Sequence, residues 1–281
     1  PYITPDHETK VNFIASTSKY SSSSLKSYNN YYIKISQHLA PYTWAKFSYS
    51  YTPLFYIKSY SQSDPHIVYE LNDNSYMPSS FKSEKIGFEL SIPISYSNKI
   101  YFSTRYLFES QYYNSDFTEF DLEITNYYFK IRKKTTKNIN MSIAYMRSAA
   151  KNISYMNGLL STIDKDRSYI QDKIYISVSG LSWNKKISGG IYSSYERRSF
   201  SSLLEQDKLH FMRYHDDLAI NFWIKRHLNN NFDIKMRASH GKRNTFSPYN
   251  TEGTTVSDFK SFQKFEVWLS IILKMEINVY Y

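Results

Sequence analysis

The sequence predicts an all-β fold: a transmembrane, antiparallel, up-and-down β-barrel of about 12 strands (about 10–14), built as a single domain over residues 1–281. Three observations predict it. Apolar residues recur at every second position through much of the chain, most plainly at Phe265, Val267, Leu269, Ile271 and Leu273, and a strand places such residues on one face. The composition is rich in tyrosine (29) and phenylalanine (18), poor in glycine (7), and has a mean hydropathy of −0.55. No run of about 18 apolar residues is present, which excludes a helical membrane protein; a barrel shows only alternate residues to lipid and keeps a low mean hydropathy. Finally, the segments between periodic stretches alternate short and long, as they do when successive connections lie at opposite rims. A sandwich with Greek-key crossovers has no reason to sort its loops by parity.

Taken in order, Val11, Phe13 and Ala15 mark a first strand within Glu8 to Lys19, and Tyr31, Ile33 and Ile35 a second. Ala40 and Pro41 turn the chain tightly into a third with Ala45, Phe47, Tyr49 and Tyr51. A long polar stretch from Ser61 to Ser80 precedes the fourth, carried by Ile86, Phe88, Leu90 and Ile92. After a short turn at Ser97 and Asn98, the fifth shows Ile100, Phe102, Tyr106 and Phe108. In the sixth, Leu122 and Ile124 give way to Tyr127, Phe129 and Ile131, a slip of phase near Asn126 that predicts a β-bulge. Ile139, Met141, Ile143 and Tyr145 form the seventh, and the segment from Ser148 to Arg167 is long and irregular, a candidate plug. Ile174, Ile176 and Val178 carry the eighth, Ile187, Gly189 and Ile191 the ninth. The tenth has Leu218, Ile220, Phe222 and Ile224, and the eleventh Phe232, Ile234, Met236 and Ala238. The last runs from Phe259 to Tyr281 and is expected to pair with the first, closing the barrel.

If the apolar phase faces lipid, the opposite phase lines a lumen. That assigns Lys34, Lys46, Lys85, Arg105 and Lys173, then Lys225, Lys235, Arg237 and Lys264, as its bases. Its acids are Glu89, Glu109, Asp121 and Glu123, then Glu196, Asp217, Asp233 and Glu266. The near balance predicts neighbouring ion pairs and gives no strong case for anion selectivity. The net charge of +10 then has to sit mainly in turns, loops and strand ends, where it would meet lipid phosphate or acidic surface glycolipid. Bases and aromatics are spread throughout, so no nucleic-acid interface is expected. Tyr42, Trp44, Tyr112, Tyr113, Trp183, Tyr195 and Tyr280 suit interfacial girdles.

Candidate chemistry is sparse. His210 and His215 stand near Asp216 and Asp217, but a five-residue interval on a strand puts the rings on opposite faces, so rim hydrogen bonds are expected. The groups Asp164 with Asp166, and Glu70 with Asn72, Asp73 and Asn74, lack the glycine and bidentate acid of a calcium loop. No phosphate-cradling glycine loop or nucleophile elbow is present. Neither metal, cofactor nor catalytic residue is expected, and the absence of cysteine excludes a disulfide framework.

The terminal aromatic Tyr281, with Val279, Ile277 and Met275 at alternate positions before it, resembles the C-terminal signal of bacterial outer-membrane β-barrel proteins. The last residue is Tyr where Phe is commoner in that family. The resemblance implies residence in the bacterial cell outer membrane, contact with its lipid and lipopolysaccharide, and handling by the barrel-assembly machinery. It identifies no subfamily; the leading expectation is a porin-like passive or gated conduit for small polar solutes, and no enzyme. The alternative is a structural or secretion-related barrel that anchors or translocates a periplasmic or surface partner, the chain then being the C-terminal domain of a longer one. An outer-membrane lipid hydrolase is a third expectation.

Overall fold

Alternating polarity, abundant aromatic and β-branched residues and few glycines favour extended backbone, and the computed structural model places a strand at each of the twelve expected stretches. It describes residues 8–21, 26–60, 77–114, 120–135, 139–153, 166–180, 186–229, 231–248, 250–251, 254–255 and 260–273. The strands are β1 (Thr9–Ser18), β2 (Tyr28–Ala40), β3 (Thr43–Tyr60), β4 (Met77–Ser95), β5 (Ile100–Tyr113), β6 (Leu122–Lys134) and β7 (Asn140–Asn152). They continue with β8 (Tyr169–Ser179), β9 (Ile187–Phe200), β10 (Tyr214–His227), β11 (Phe232–Phe246), a small hairpin of β12 (Asn250–Thr251) and β13 (Thr254–Thr255), and β14 (Phe262–Leu273). All but the hairpin form one 12-stranded antiparallel sheet in which each strand pairs with its neighbours in sequence, β11 meeting β14. The connections 41–42, 96–99, 135–139, 180–186 and 228–231 therefore join strands at one end, and the longer connections at the other. Tyr42 and Lys99 take left-handed backbone (φ 60° and 51°) in the first two of those tight turns.

Side chains from β1 through β9 line one shared cavity of about 1060 Å³, so the sheet curls with that face inside. Register carries the same inner phase to His215, Asp217 and Asn221 on β10, to Asp233, Lys235 and Arg237 on β11, and to Lys264 and Glu266 on β14. One expectation fails here. The pairing of β6 with both β5 and β7 is unbroken, so there is no bulge at Asn126. Leu122 and Ile124 keep the inner phase and are buried, while Tyr127, Phe129 and Ile131 keep the outer one. The polarity of the two faces changes along the strand because the inner face is packed at one end and hollow at the other. Closure is not shown among the described residues, where β1 and β14 are the edges of the sheet with no pairing between them. Met275, Ile277, Val279 and Tyr281 lie outside those residues.

Apolar burial is inverted relative to a water-soluble sheet. Among the described residues only Leu122, Ile124, Ala144 and Ala150 are fully buried apolar side chains. On the outer face Phe88 is 53%, Ile143 51%, Ile176 53% and Leu269 72% exposed, and similar side chains recur on every strand.

On the inner face, the Trp223 indole of β10 lies over Gly190 of β9. A Cβ at Gly190 would stand 2.8 Å from Nε1 of Trp223 and 2.9 Å from the Val178 carbonyl oxygen. At Gly241 the nearest atom would be 4.0 Å away. Gly190→Ala is expected to lower stability by about 1–3 kcal/mol through overpacking, and Gly241→Ala to change it by less than about 0.5 kcal/mol, read from paired thermal unfolding curves.

Candidate functional site

The interior divides into a filled half and a hollow half. At the long-connection end an aromatic ladder crosses neighbouring strands, Tyr28 to Phe55, Phe81, Tyr113 and Phe120, with successive ring centroids 5.2–5.6 Å apart. The Arg167 guanidinium lies 4.9 Å over Phe120. Beyond it, Leu122, Ile124 and Ala150 pack against Tyr169, and Tyr169 meets Phe200 at 6.1 Å.

The connection 201–213 folds into this end. Its Ser202, Asp207, His210 and Arg213 are buried, and Asp207 holds it in place. One carboxylate oxygen accepts from the backbone N–H of Asp166 (2.9 Å) and contacts Nδ1 of His210 (2.9 Å); the other accepts from the His210 backbone N–H (3.2 Å). The His210 and His215 rings both pack on Phe200, at 5.1 and 5.6 Å, and Arg213 covers it at 4.1 Å. His215 is hydrogen-bonded through Nδ1 to the Thr245 hydroxyl (2.8 Å). The expectation of opposite faces fails because His210 belongs to this connection and not to β10. Burial is the main influence on His210 and Arg213: it holds His210 below its ordinary value despite Asp207, and pushes Arg213 down to about 10. Among the described residues no group of three or more His, Asp or Glu side chains is placed to hold a metal ion.

Lower in the interior, acids and bases on neighbouring strands pair across the sheet. Lys46 meets Glu89 (2.6 Å), Lys85 meets Glu109 (3.0 Å), and Lys173 meets Glu196 (3.1 Å). Arg243 grips Asp217 through two bonds of 2.6 Å, and Lys225 (2.8 Å) and His227 (2.5 Å) close on the fully buried Asp233. Lys264 pairs with Glu266. Arg237 reaches Asn221 (3.2 Å) and stands over Trp268, and Lys235 stands over Trp223.

Lys34, Lys46, Glu89 and Arg105 line the cavity at the short-turn end. Glu123, expected in the lumen, lies on the outer face, alternating with Leu122 and Ile124 and accepting from the Tyr112 hydroxyl at 3.4 Å. Asp121 stands before β6 and accepts from the Tyr113 backbone N–H (2.6 Å). The six inner-face acids that remain each touch a base. Lys130, Arg132 and Lys134 of β6 line the cavity as well; they are absent from the lumen set expected from sequence, although their alternation with Tyr127, Phe129 and Ile131 already puts them on its phase. Continuity of the Tyr127–Phe129–Ile131 stripe to the end of the strand was the signal that placed them. The near balance of charge therefore does not hold at the short-turn end. Of the expected girdle, Tyr112 and Tyr195 face outward, Trp44 lines the cavity and Tyr113 joins the inner ladder; Trp183 and Tyr280 lie outside the described residues. So do Asp164 and the 70–74 group, and most of the 148–167 segment expected as a plug.

No family model matches the chain, and no curated protein matches it.

Asp207→Ala removes three contacts of the buried connection and is expected to destabilise its closed packing by about 1–3 kcal/mol, seen as faster amide exchange over 201–213 with β9 and β10 unaffected. Because His210 in the packed state binds its proton more weakly than a free histidine, the opened connection binds more protons below about pH 6.5. Packing is thus at full strength above that pH and weakens as pH falls through it. Exchange over 207–213, corrected for intrinsic rates, should accelerate between about pH 7.5 and 5.5, and His210→Gln should flatten the dependence.

Proposed function

We propose that the chain is a closed transmembrane β-barrel of the bacterial outer membrane and a gated conduit for small polar solutes. The observation that carries the reading is the inverted surface. Full burial of a Leu, Ile or Phe side chain is worth roughly 1.5–3 kcal/mol, so an uncovered band recurring on every strand would cost more in water than the roughly 5–15 kcal/mol that holds a typical domain together. Lipid removes that cost. The band has suitable edges: on β10, Leu218, Ile220, Phe222 and Ile224 lie between the outward Asp216 and Arg226, and on β6 the apolar stripe lies between Glu123 and Lys133. Asp216 to Arg226 spans about 34 Å at about 3.4 Å per residue, or about 24 Å across a membrane at a tilt of about 45°.

Charges at the long-connection border support the same reading. Arg147, Asp172, Arg197 and Asp216 occupy one register row on β7, β8, β9 and β10, alternating in sign, with Arg197 bidentate on Asp216 (2.7 and 2.8 Å). Just inside the row, the Tyr145 and Tyr195 hydroxyls donate to Asp172 and Asp216. Phenol bodies in the apolar layer with hydroxyls toward charge suit a membrane interface, with lipid and lipopolysaccharide as neighbours. Among the described residues no helix is long and apolar enough to cross a membrane.

The gate in this proposal is the connection 201–213, which fills the long-connection end above a hollow cavity. The same packing favours a second reading, a barrel that anchors or helps export a periplasmic or surface partner and conducts nothing. No observation favours a lipid hydrolase, since His210 and His215 sit on the interior Phe200, away from the outer face.

Purified protein in planar bilayers decides between conduit and anchor. The conduit reading expects discrete conductance steps, with Asp207→Ala raising the open fraction several-fold; silence from both proteins leaves the anchor. Phe222→Arg, on the outer band, is expected to cost about 2–4 kcal/mol on refolding into lipid.

A further inference from the structure

The cavity at the short-turn end carries far more positive charge than its one acid can balance. Seven bases line it; among the described residues Glu89 is the only acid in its lining and is already paired with Lys46, and Lys10 is paired with Glu8. Three of the bases stand on one strand: Lys130, Arg132 and Lys134 at alternate positions of β6, neighbours about 7 Å apart. The strands on either side offer them no counter-charge. In register with them are Ser103 and Tyr101 on β5, and Ala144, Ser142 and Asn140 on β7. Lys34 and Arg105 likewise have no ion pair among the described residues.

Two of the guanidinium groups are held flat by neighbouring rings. Arg132 lies 5.1 Å over Tyr101, and Arg105 lies 5.0 Å over Tyr128; each arginine faces the tyrosine opposite it in register across β5 and β6. A stacked guanidinium keeps its N–H edge free for two-point contact with an oxyanion. Lysines add point charges around that edge. A volume of about 1060 Å³ suits one metabolite-sized ligand rather than a polymer.

We propose that this cavity binds a small organic anion carrying two or more phosphate or carboxylate groups, entering from the short-turn side. The inference rests on the reading of the interior as a water-filled barrel, and it makes the solute of that conduit a multivalent anion. Among the described residues every acid elsewhere on the inner face touches a base, and the β6 ladder, with Lys34 and Arg105 beside it in the lining, offers an incoming anion bases that no acid already holds.

The test is calorimetric titration of the full chain in neutral detergent micelles with tripolyphosphate and, separately, with citrate. One-to-one binding is expected for at least one of them, weakened tenfold or more between about 50 mM and about 500 mM salt, as multiple charge contacts require. Lys130→Gln, Arg132→Gln and Lys134→Gln together should weaken it at least tenfold, and Lys151→Gln, on the outer face, should not. Should the triple variant lose its β-sheet circular dichroism, Lys134→Gln alone, at the strand end, is expected to weaken binding about two- to threefold. Binding of tripolyphosphate alone assigns phosphate, and of citrate alone carboxylate. Absence of binding by both anions, or equal affinity in a folded β6 variant, overturns the proposal. Since binding is read without ion flow, a barrel that binds but never conducts removes the conduit and keeps the site, and one that conducts without binding does the reverse.

Discussion

Contact between the outer apolar band and something other than water is the constraint on which the rest of the structure depends. A meander of twelve strands with a single curled layer has no second sheet and, among the described residues, no helix layer to cover that band. Its interior cannot serve as the main hydrophobic core, because alternation commits the apolar phase outward on nearly every strand. Stability in such a design comes from strand pairing, from the ion pairs that satisfy the inner face and, in the proposed reading, from lipid on the outer one.

The interior organises itself under the same constraint. Where the connection 201–213 fills the curl, apolar Leu122 and Ile124 turn inward and Asp207 supplies the bonds that let a polar segment be buried. Burial of Arg213 beside Phe200 fits this pattern, its charge weakened by desolvation but faced by an aromatic ring. Farther along the same strands the curl is empty, and charged side chains can line it because water can reach them. Acids there each meet at least one base, most of them on the next strand, as Glu196 meets Lys173 and Asp217 meets Arg243. The β6 ladder, with Lys34 and Arg105 in the same lining, stands outside that pairing among the described residues, and bases that no acid holds are where an anionic ligand has something to gain.

Much of this was readable from residue order. Period two placed the strands, and the sorting of connections by length placed their ends, because both depend only on local backbone geometry and on the topology of a meander. The β6 bulge was misread for a physical reason: a polarity pattern reports the environment of a face, and that environment changes along β6 from packed protein to cavity while the register stays fixed. The same limit hid the role of His210, whose neighbours Asp207 and Phe200 are set by how a connection folds back and not by strand spacing. Charge balance was misjudged on β6 as well, since the supposed bulge put Glu123 inside and the alternation of Lys130, Arg132 and Lys134 with the apolar stripe was left uncounted. Closure through Tyr281 and the alternate residues before it depends on positions outside the described structure.

The central claim is that the outer phase faces lipid along its whole apolar stretch. A nitroxide scan of positions 216–226, with protein refolded into bilayers, measures this directly through collision with oxygen, which concentrates in the hydrocarbon layer. The account predicts a period of two, with oxygen maxima at Leu218, Ile220, Phe222 and Ile224 and minima at Asp217, Ala219, Asn221, Trp223 and Lys225. A flat profile, or oxygen-poor positions on the apolar phase because protein covers them, would contradict it.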